Sequence, residues 1–353
     1  MADDPLYMRS LDVVRGCFLE NGAVVAADTD SPNYPAQAKG YRFVWPRDAA
    51  YSCVCAVKAD HPKLAEGFFS WCVNRVLGLN ELGVFSENYH TNGQPNTQTG
   101  YCQLDQSGSM LWAIHEYIEA GGDSGDAFKL CKILADGLSD LWCGGCFRIP
   151  CTDLWEERVA FPDIGQVHTY TLSTCAHGLR CAGEVLGERG YVELAKEMVE
   201  VLNDVSLSYF PRTLGQITDT CVDASVLGLV WPHNVLGLED GRLAESVSVV
   251  GERLSDGGGI RRYVGDAYDC YNPDGVTRYA GGGFWPLLSL WMSLVQVELG
   301  NVDEARKYFD YVNGLGLDYL PEQVFENDVQ RSASPLCWAH SMYVLAYEAF
   351  SRL

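Results

Sequence analysis

Apolar residues recur along this chain at the 3.6-residue spacing of amphipathic helices, between glycines and prolines that interrupt the pattern. Few stretches show the strict alternation of apolar and polar residues that is typical of strands. The pattern therefore favours an all-α protein. It predicts helices over residues 5–20, 48–60, 63–78, 105–121, 124–141, 168–187, 189–207, 220–230, 241–254, 283–299, 301–313 and 335–352.

The predicted helices alternate between two kinds. Segments such as 48–60 and 335–352 are rich in Ala, Cys and aromatic residues, and they are apolar nearly all round. Segments such as 63–78 and 301–313 carry charges on one face. A helix that is apolar all round is buried, whereas one with a polar face lies outside. We therefore expect an (α/α)6 toroid, a barrel of six helical hairpins, formed by residues 1–353 as a single domain.

Five polar motifs stand ahead of helices predicted to form the inner ring. All inner helices of such a barrel run the same way, so we expect the motifs to meet at one rim and form a site. They are YRFVWPRD (41–48), CQLDQSG (102–108), DLWEER (153–158), RRYVGD (261–266) and LPEQV (320–324).

The charge and the cysteines narrow the class of partner and the compartment. The net charge of −22, from 47 acidic and 25 basic residues, argues against nucleic acid and anionic membranes and favours a neutral or cationic ligand. The first residues lack a secretory signal, and fourteen cysteines without one indicate reduced thiols, so we expect a cytoplasmic protein. Cys143 and Cys146 have a metal-like spacing and Cys151 follows, but no second ligand pair accompanies them. Buried or loop thiols are favoured over zinc, with metal binding left open.

Taken singly, these motifs also have ordinary structural explanations. Asp153 with Glu156 fits a helix capping box, Asp48 fits an N-cap, and Pro321 fits the start of a helix. Together they indicate chemistry, because Trp155 places an apolar face beside Glu156, which favours a protonated carboxyl. No serine-nucleophile or phosphate-binding motif is present. On the inner helices, the expectation for His168, His177 and His340 is that each is a hydrogen-bonded core residue.

At these motifs the chain resembles glycoside hydrolase family 15, the glucoamylase family, whose fold is the (α/α)6 barrel. The resemblance runs in order from NGAVVAA (21–27) to LPEQ and covers nearly the whole chain. DLWEER and WPRD are its most specific parts. Two features common in the family are not found, an N-terminal β-sandwich domain and a starch-binding module, and residues 205–255 match no motif.

The resemblance implies roles for individual residues. Glu156 would be the general acid and Glu322 the general base of an inverting hydrolysis, which requires carboxyls roughly 6.5–9.5 Å apart. No metal or cofactor is implied. Arg47 and Asp48 would bind the terminal glucose, Glu157 the next sugar, and Arg262 hydroxyls near the cleavage point. The remaining candidate substrate contacts are Tyr41, Trp45, Asp153, Leu154 and Trp155.

The resulting hypothesis is an exo-acting α-glucosidase, similar to glucoamylase, that releases glucose from malto-oligosaccharides or related α-glucans. An α,α-trehalase or an α-1,6-glucosidase of the same family is the nearest alternative, because the motifs do not define the leaving group. Two further classes stay open: a disaccharide phosphorylase, which uses phosphate in place of the base, and a sugar-binding barrel without activity. The presence of both Glu156 and Glu322 disfavours these two. Linkage preference and oligomeric state are not encoded in the motifs.

Overall fold

The computed structural model describes residues 4–96, 101–269, 282–326 and 331–353. In these ranges most of the regular structure is helical. The α-helices are α1 Pro5–Cys17, α2 Pro46–Lys58, α3 Pro62–Arg75, α4 Leu79–Leu82, α5 Asp105–Glu119, α6 Gly125–Leu141, α7 Thr169–Leu186, α8 Arg189–Asn203, α9 Gly241–Leu254, α10 Pro286–Glu298, α11 Val302–Gly314 and α12 Cys337–Phe350. Two 3-10 helices cover Pro162–Ile164 and Ala224–Leu229.

Short antiparallel strand pairs join some of these helices. β1 (Cys151–Thr152) pairs with β2 (Val159–Ala160), β3 (Val167–His168) with β4 (Thr213–Leu214), and β5 (Ser255–Asp256) with β6 (Gly259–Ile260).

Six helical elements form a closed inner ring. α2 packs on α5, α5 on α7, α7 on the 3-10 helix Ala224–Leu229, that helix on α10, α10 on α12, and α12 back on α2. Each element also packs on an amphipathic neighbour: α12 on α1, α2 on α3, α5 on α6, α7 on α8, α10 on α11, and the 3-10 helix on α9. The molecule is thus an (α/α)6 toroid, as the alternation of helix types predicts.

Aromatic side chains fill the centre of the ring. The fully buried ring of Tyr51 lies 5.0 Å from that of Trp338, 5.1 Å from Trp112 and 5.9 Å from Trp291, measured between centroids. Tyr170 adds a contact of 5.9 Å with Trp291. Because these rings interlock in edge-on and tilted arrangements, the barrel has a packed centre and no pore.

Glycines allow α5 and α7 to approach closely. A Cβ on Gly108 would lie 2.6 Å from the Thr174 carbonyl oxygen, and a Cβ on Gly178 would lie 2.6 Å from the Gly108 carbonyl oxygen. Real Cβ atoms do not approach backbone so closely, so the contact between these inner helices depends on both glycines.

The three histidines that the sequence places on inner helices are buried, and each has a hydrogen-bond partner. His168 contacts Thr213 at 3.0 Å, and His177 contacts the buried His233 at 3.1 Å. At His340, Nε2 accepts from the Leu320 amide at 2.9 Å, so Nδ1 carries the proton and donates to the Ser10 hydroxyl, also at 2.9 Å. The expectation of hydrogen-bonded core histidines is confirmed, but His168 lies in β3, directly ahead of α7, and not on the helix.

Eleven of the twelve predicted helices are present as α-helices. Segment 220–230 is a 3-10 helix over Ala224–Leu229, and the short α4 was not predicted. Asp48 is not an N-cap, because α2 begins two residues earlier at Pro46, whose fixed φ suits a first helical position. Pro321 starts no helix: the next helix among the described residues begins at Cys337, and Val324 pairs with Phe284. In the described ranges no helix has the length and apolar character needed to cross a bilayer.

Candidate active site

Loops that precede the inner helices surround a cavity of about 640 Å³. Its wall includes Tyr41, Phe43 and Trp45 ahead of α2, Arg47 and Asp48 in the first turn of α2, Leu154 to Glu157 ahead of α7, Arg262 and Trp285 ahead of α10, and Glu322 ahead of α12. Four of the five motifs therefore meet at one rim, as their positions predict. Residues of the fifth motif, 102–108, are absent from the wall; its Asp105 is fully buried.

Glu156 projects into the cavity from a tight hairpin between β1 and β2. Its backbone has φ +63, a left-handed conformation that costs most non-glycine residues about 1 kcal/mol or more. The hairpin is held by Asp153, whose carboxylate accepts from the amides of Glu157 at 2.9 Å and Arg158 at 3.2 Å. Asp153 thus caps this turn, and the predicted helix capping box with Glu156 is wrong.

The Glu156 carboxyl is held from one side of the cavity. The indole Nε1 of Trp45 donates to its Oε1 at 2.7 Å, and the Arg47 guanidinium lies 3.7 Å from the same oxygen. Burial among protein groups raises the pKa of Glu156 to about 8, although Arg47 favours the charged form, and the carboxylates of Glu87 and Asp48 raise it further. A quarter of the side chain remains accessible from the cavity. The group is therefore mostly protonated at neutral pH and reachable by a ligand.

Arg47 links the buried carboxylates at the inner end of the cavity. It lies 3.1 Å from Asp105 and 3.5 Å from Asp48, and its guanidinium stacks 5.3 Å above the centre of the Trp338 ring. Burial raises the pKa of Asp48 to about 6, which Arg47 partly offsets. CQLDQSG therefore contributes through Asp105, which orients Arg47 from behind the wall.

Glu322 lies on a strand-like segment on another part of the wall. Its amide donates to the Ala333 carbonyl at 2.8 Å, and two residues later Val324 donates to the Phe284 carbonyl at 2.7 Å. The carboxyl is buried, and Tyr41 donates to its Oε1 at 3.0 Å. A backbone fixed on both sides gives this carboxylate a defined position in the cavity.

A third group of charges forms around Glu157 and Arg262. Arg262 lies 2.7 Å from the Glu157 carboxylate and donates to both carboxylate oxygens of Asp266, at 2.8 and 2.7 Å. Partial burial alone would raise the pKa of Glu157, but Arg262 and the Tyr263 hydroxyl lower it below its ordinary value. Glu157 is thus ionised, in contrast with its neighbour Glu156.

Trp155 connects this hairpin to the fourth inner element of the ring. Its indole Nε1 donates to Asp223 at 2.9 Å, and Asp223 also caps the 3-10 helix by accepting from the Ser225 amide. The Trp155 ring lies 5.8 Å from that of Trp285. The buried carboxylate of Asp223 therefore fixes the Trp155 face of the cavity to the barrel.

Ten of the eleven candidate residues line the cavity; the exception is Asp153, which is buried under the hairpin. Several wall residues were not singled out from the sequence: Lys39, Gly40, Phe43, Glu87, Asn88, Asn96 and Tyr268. Glu87 and Asn88 belong to none of the five motifs. Phe43 lies inside YRFVWPRD, Lys39 and Gly40 directly precede that motif, and Tyr268 follows RRYVGD by two residues.

In the described part of the chain, no group of three or more His, Cys, Asp or Glu side chains could hold a metal ion. The sulfur atoms of Cys143 and Cys146 lie 3.5 Å apart, but Cys151 lies apart from them, near the Leu104 amide. The cysteines of the described residues are free thiols.

The wall thus combines one protonated carboxyl at Glu156 with a second, separately held carboxyl at Glu322. Apolar rings of Trp155, Trp285 and Trp338 lie between charged groups that can bind hydroxyls. A cavity of this size is within the range of ligand pockets, roughly 300–1,000 Å³. The arrangement can hold a hydroxylated ring and transfer protons to and from it.

Comparison with known proteins gives a consistent family. The family model described as "Glycosyl hydrolases family 15" matches residues 4–331. An uncharacterized glycosyl hydrolase of Methanocaldococcus jannaschii is 27% identical, over 92% of this chain and 52% of its own length. Trehalase 2 of Sulfolobus acidocaldarius is 24% identical, over 85% of this chain and 55% of its own length. Isomaltose glucohydrolase of Kribbella flavida is 24% identical, over 69% of this chain and 63% of its own length. The chain spans about half to under two thirds of the length of these relatives.

Solved structures share the fold. A wild-type glycosidase superposes with a TM-score of 0.81 at 20% identity, covering 99% of this chain and 96% of that one. Glucoamylase from Saccharomycopsis fibuligera superposes with a TM-score of 0.72 at 13% identity, covering 100% and 96%. At such identities the likeness establishes the toroid and leaves the chemistry to the site itself.

Proposed function

Since this chain belongs to family 15 of the glycosyl hydrolases, we propose that it is an exo-acting, inverting α-glucosidase that releases glucose from the ends of short α-glucans. The observation that carries the proposal is the pair of carboxyls in one cavity, one protonated at neutral pH and one held separately. Glu156 is hydrogen-bonded to Trp45 and its pKa is raised to about 8. Glu322 is hydrogen-bonded to Tyr41.

In the proposed reaction, Glu156 donates its proton to the glycosidic oxygen as the bond from that oxygen to C1 breaks. Glu322 takes a proton from a water molecule, whose oxygen forms the new bond to C1. Positive charge develops on the sugar ring, and the ionised carboxylates in the cavity stabilise it. Since the water attacks C1 directly from the face opposite the leaving group, the configuration at C1 inverts, and an α-glucoside yields β-glucose.

Exo-action is proposed from two charged pairs on the wall that differ in exposure. Arg47 and Asp48 are both buried, and they can bind the hydroxyls of a terminal glucose. Arg262 is buried as well, but its partner Glu157 is 30% exposed, and this ionised pair can bind hydroxyls of the next sugar. A closed first sugar position followed by a more open second one suits a chain end better than the middle of a polymer.

A specific observation favours a second candidate. Two relatives act by name on disaccharides, one a trehalase and the other an isomaltose glucohydrolase. Trehalose or an α-1,6-linked disaccharide is therefore the alternative substrate, with the same carboxyls in the same roles.

The test is proton NMR of the anomeric region during incubation with maltotetraose, isomaltose and trehalose in separate tubes. Early β-glucose supports inverting hydrolysis and identifies the preferred linkage. Early α-glucose contradicts the roles of Glu156 and Glu322. Glucose 1-phosphate formed only in phosphate buffer would identify a phosphorylase, and no product in any tube would point to a sugar-binding barrel.

A further inference from the structure

Tyr268 lies in the cavity wall beside the residues proposed to activate water. Its hydroxyl is hydrogen-bonded to the hydroxyl of Tyr41, and Tyr41 in turn donates to Oε1 of Glu322 at 3.0 Å. The three groups come from loops ahead of three different inner elements, so the contact exists only in the assembled barrel.

The Tyr268 ring and backbone are fixed independently of this contact. The Lys39 ammonium and the Arg262 guanidinium each lie 4.7 Å from the centre of the ring, at cation–π distance. The Tyr268 amide donates to Asp266 at 2.9 Å, and Asp266 also binds Arg262. Its hydroxyl is therefore presented to Tyr41 by a rigid support.

The chemistry of the groups sets the direction of the hydrogen bonds. A phenol has one proton, and an ionised carboxylate only accepts. When the Tyr41 hydroxyl donates its hydrogen bond to Glu322, it has no proton left to donate to Tyr268. In the contact between the two tyrosines, the Tyr41 oxygen is therefore the acceptor and the Tyr268 hydroxyl the donor. The order is then Tyr268 to Tyr41 to Glu322, and each donor in such a chain strengthens the next.

We propose that Tyr268 is a positioning residue that acts on the general base through Tyr41, which rests on the function proposed above. By donating to Tyr41, Tyr268 keeps the Tyr41 hydroxyl directed at Oε1 of Glu322. This contact holds the carboxylate in the orientation in which it can accept a proton from water. The Tyr268 ring also steadies Arg262 near the second sugar. Other titratable groups on the same wall are Lys39, Arg47, Asp48, Glu87, Glu156 and Glu157.

Kinetics of single and double variants test this role. Tyr268→Phe removes only the hydroxyl, and a net hydrogen bond of about 1 kcal/mol corresponds to roughly a five-fold fall in kcat, with KM changed less than two-fold. In a Tyr41→Phe background the same substitution has no further effect, because its route to Glu322 is already lost. Tyr268→Leu also raises KM, because Arg262 loses the ring. Tyr209→Phe, which removes a hydroxyl bonded to the Thr220 carbonyl, leaves kcat unchanged.

Equal falls in kcat in both backgrounds, or wild-type kinetics for Tyr268→Phe, would overturn the proposal. A readout without substrate separates it from the proposed function: the 13C carboxyl resonance of Glu322, assigned with Glu322→Gln, shifts in Tyr268→Phe. No such shift is expected when Tyr268→Phe is added to Tyr41→Phe. If the wild-type protein hydrolyses no glycoside, the proposed function fails, and this resonance alone decides whether Tyr268 acts through Tyr41.

Discussion

Two substitutions beside Glu156 should move the pH dependence of hydrolysis in opposite directions. The indole of Trp45 donates to Glu156 at 2.7 Å and thereby favours the ionised carboxylate. Trp45→Phe removes this donor, so the pKa of Glu156 rises. Glu87→Gln removes a nearby negative charge that disfavours ionisation, so the pKa falls. An acid catalyst must be protonated, and its pKa sets the pH at which the rate declines on the alkaline side.

The magnitude follows from the raised pKa of about 8. At pH 7 roughly 90% of Glu156 is protonated, against roughly 0.3% for a carboxyl at its ordinary value of 4.5. A hydrogen bond to a charged group is worth about 1.5–3 kcal/mol and a pKa unit about 1.4 kcal/mol, so Trp45→Phe should shift the alkaline decline upward by about one to two units. For Glu87→Gln the shift is downward.

The assay is kcat/KM between about pH 5 and 10 at constant ionic strength, because this ratio reports groups of the free enzyme. Lost packing in either variant lowers the height of the profile and leaves the position of its alkaline decline unchanged. Movement of both variants in the same direction, or no movement in either, would show that another group controls this decline. Wild-type protein with a decline far below pH 8 would refute the assignment directly.

Three further predictions follow from the same contacts. Glu156→Gln should lower hydrolysis of an α-glucan by about 10²–10⁴-fold but spare α-glucosyl fluoride, whose leaving group needs no proton, whereas Glu322→Gln should lose both activities. Gly108→Ala should cost about 1–3 kcal/mol in urea unfolding, because its Cβ would meet α7, while Gly67→Ala, with open space around its Cβ, should not destabilise the protein. The pKa of the buried His340 is lowered by burial to about 3, so its contribution to stability is complete above pH 6.5 and declines as the pH falls below that value. Between pH 7 and 5 the wild-type protein should therefore lose about 2 kcal/mol more than His340→Gln in urea unfolding.

The toroid could be predicted because its cause is local. Each inner helix is apolar nearly all round and each outer helix is amphipathic, and that alternation can be recognised in the amino-acid sequence. Segment 220–230 was less predictable in detail, because six residues of 3-10 helix, Ala224–Leu229, have the same apolar pattern as a short α-helix. Only its packing against α7 and α10 shows that it completes the ring.

The site could be predicted where its residues belong to recognisable motifs, and not where they lie in loops. Glu87 and Tyr268 reach the cavity because long loops fold over the rim, and the path of a loop depends on contacts distant in sequence. Asp153 is the opposite case. The resemblance implied a sugar contact, and the structure places its carboxylate on the hairpin amides beside Glu156, outside the cavity wall.

The position of each carboxyl in the fold explains why neighbouring acids in one cavity differ in protonation. Asp48 lies in the first turn of α2, where backbone amides and the adjacent Arg47 favour its charged form, and its pKa rises only to about 6. Glu156 is also buried near Arg47, but it lies on a hairpin, has an indole as its hydrogen-bond donor and faces Glu87, and its pKa rises to about 8. Between these two values the same cavity holds an ionised carboxylate for binding and a protonated carboxyl for proton donation. A barrel that directs the leading ends of its inner helices to one rim, with a hairpin inserted between two of them, can therefore provide both groups near neutral pH.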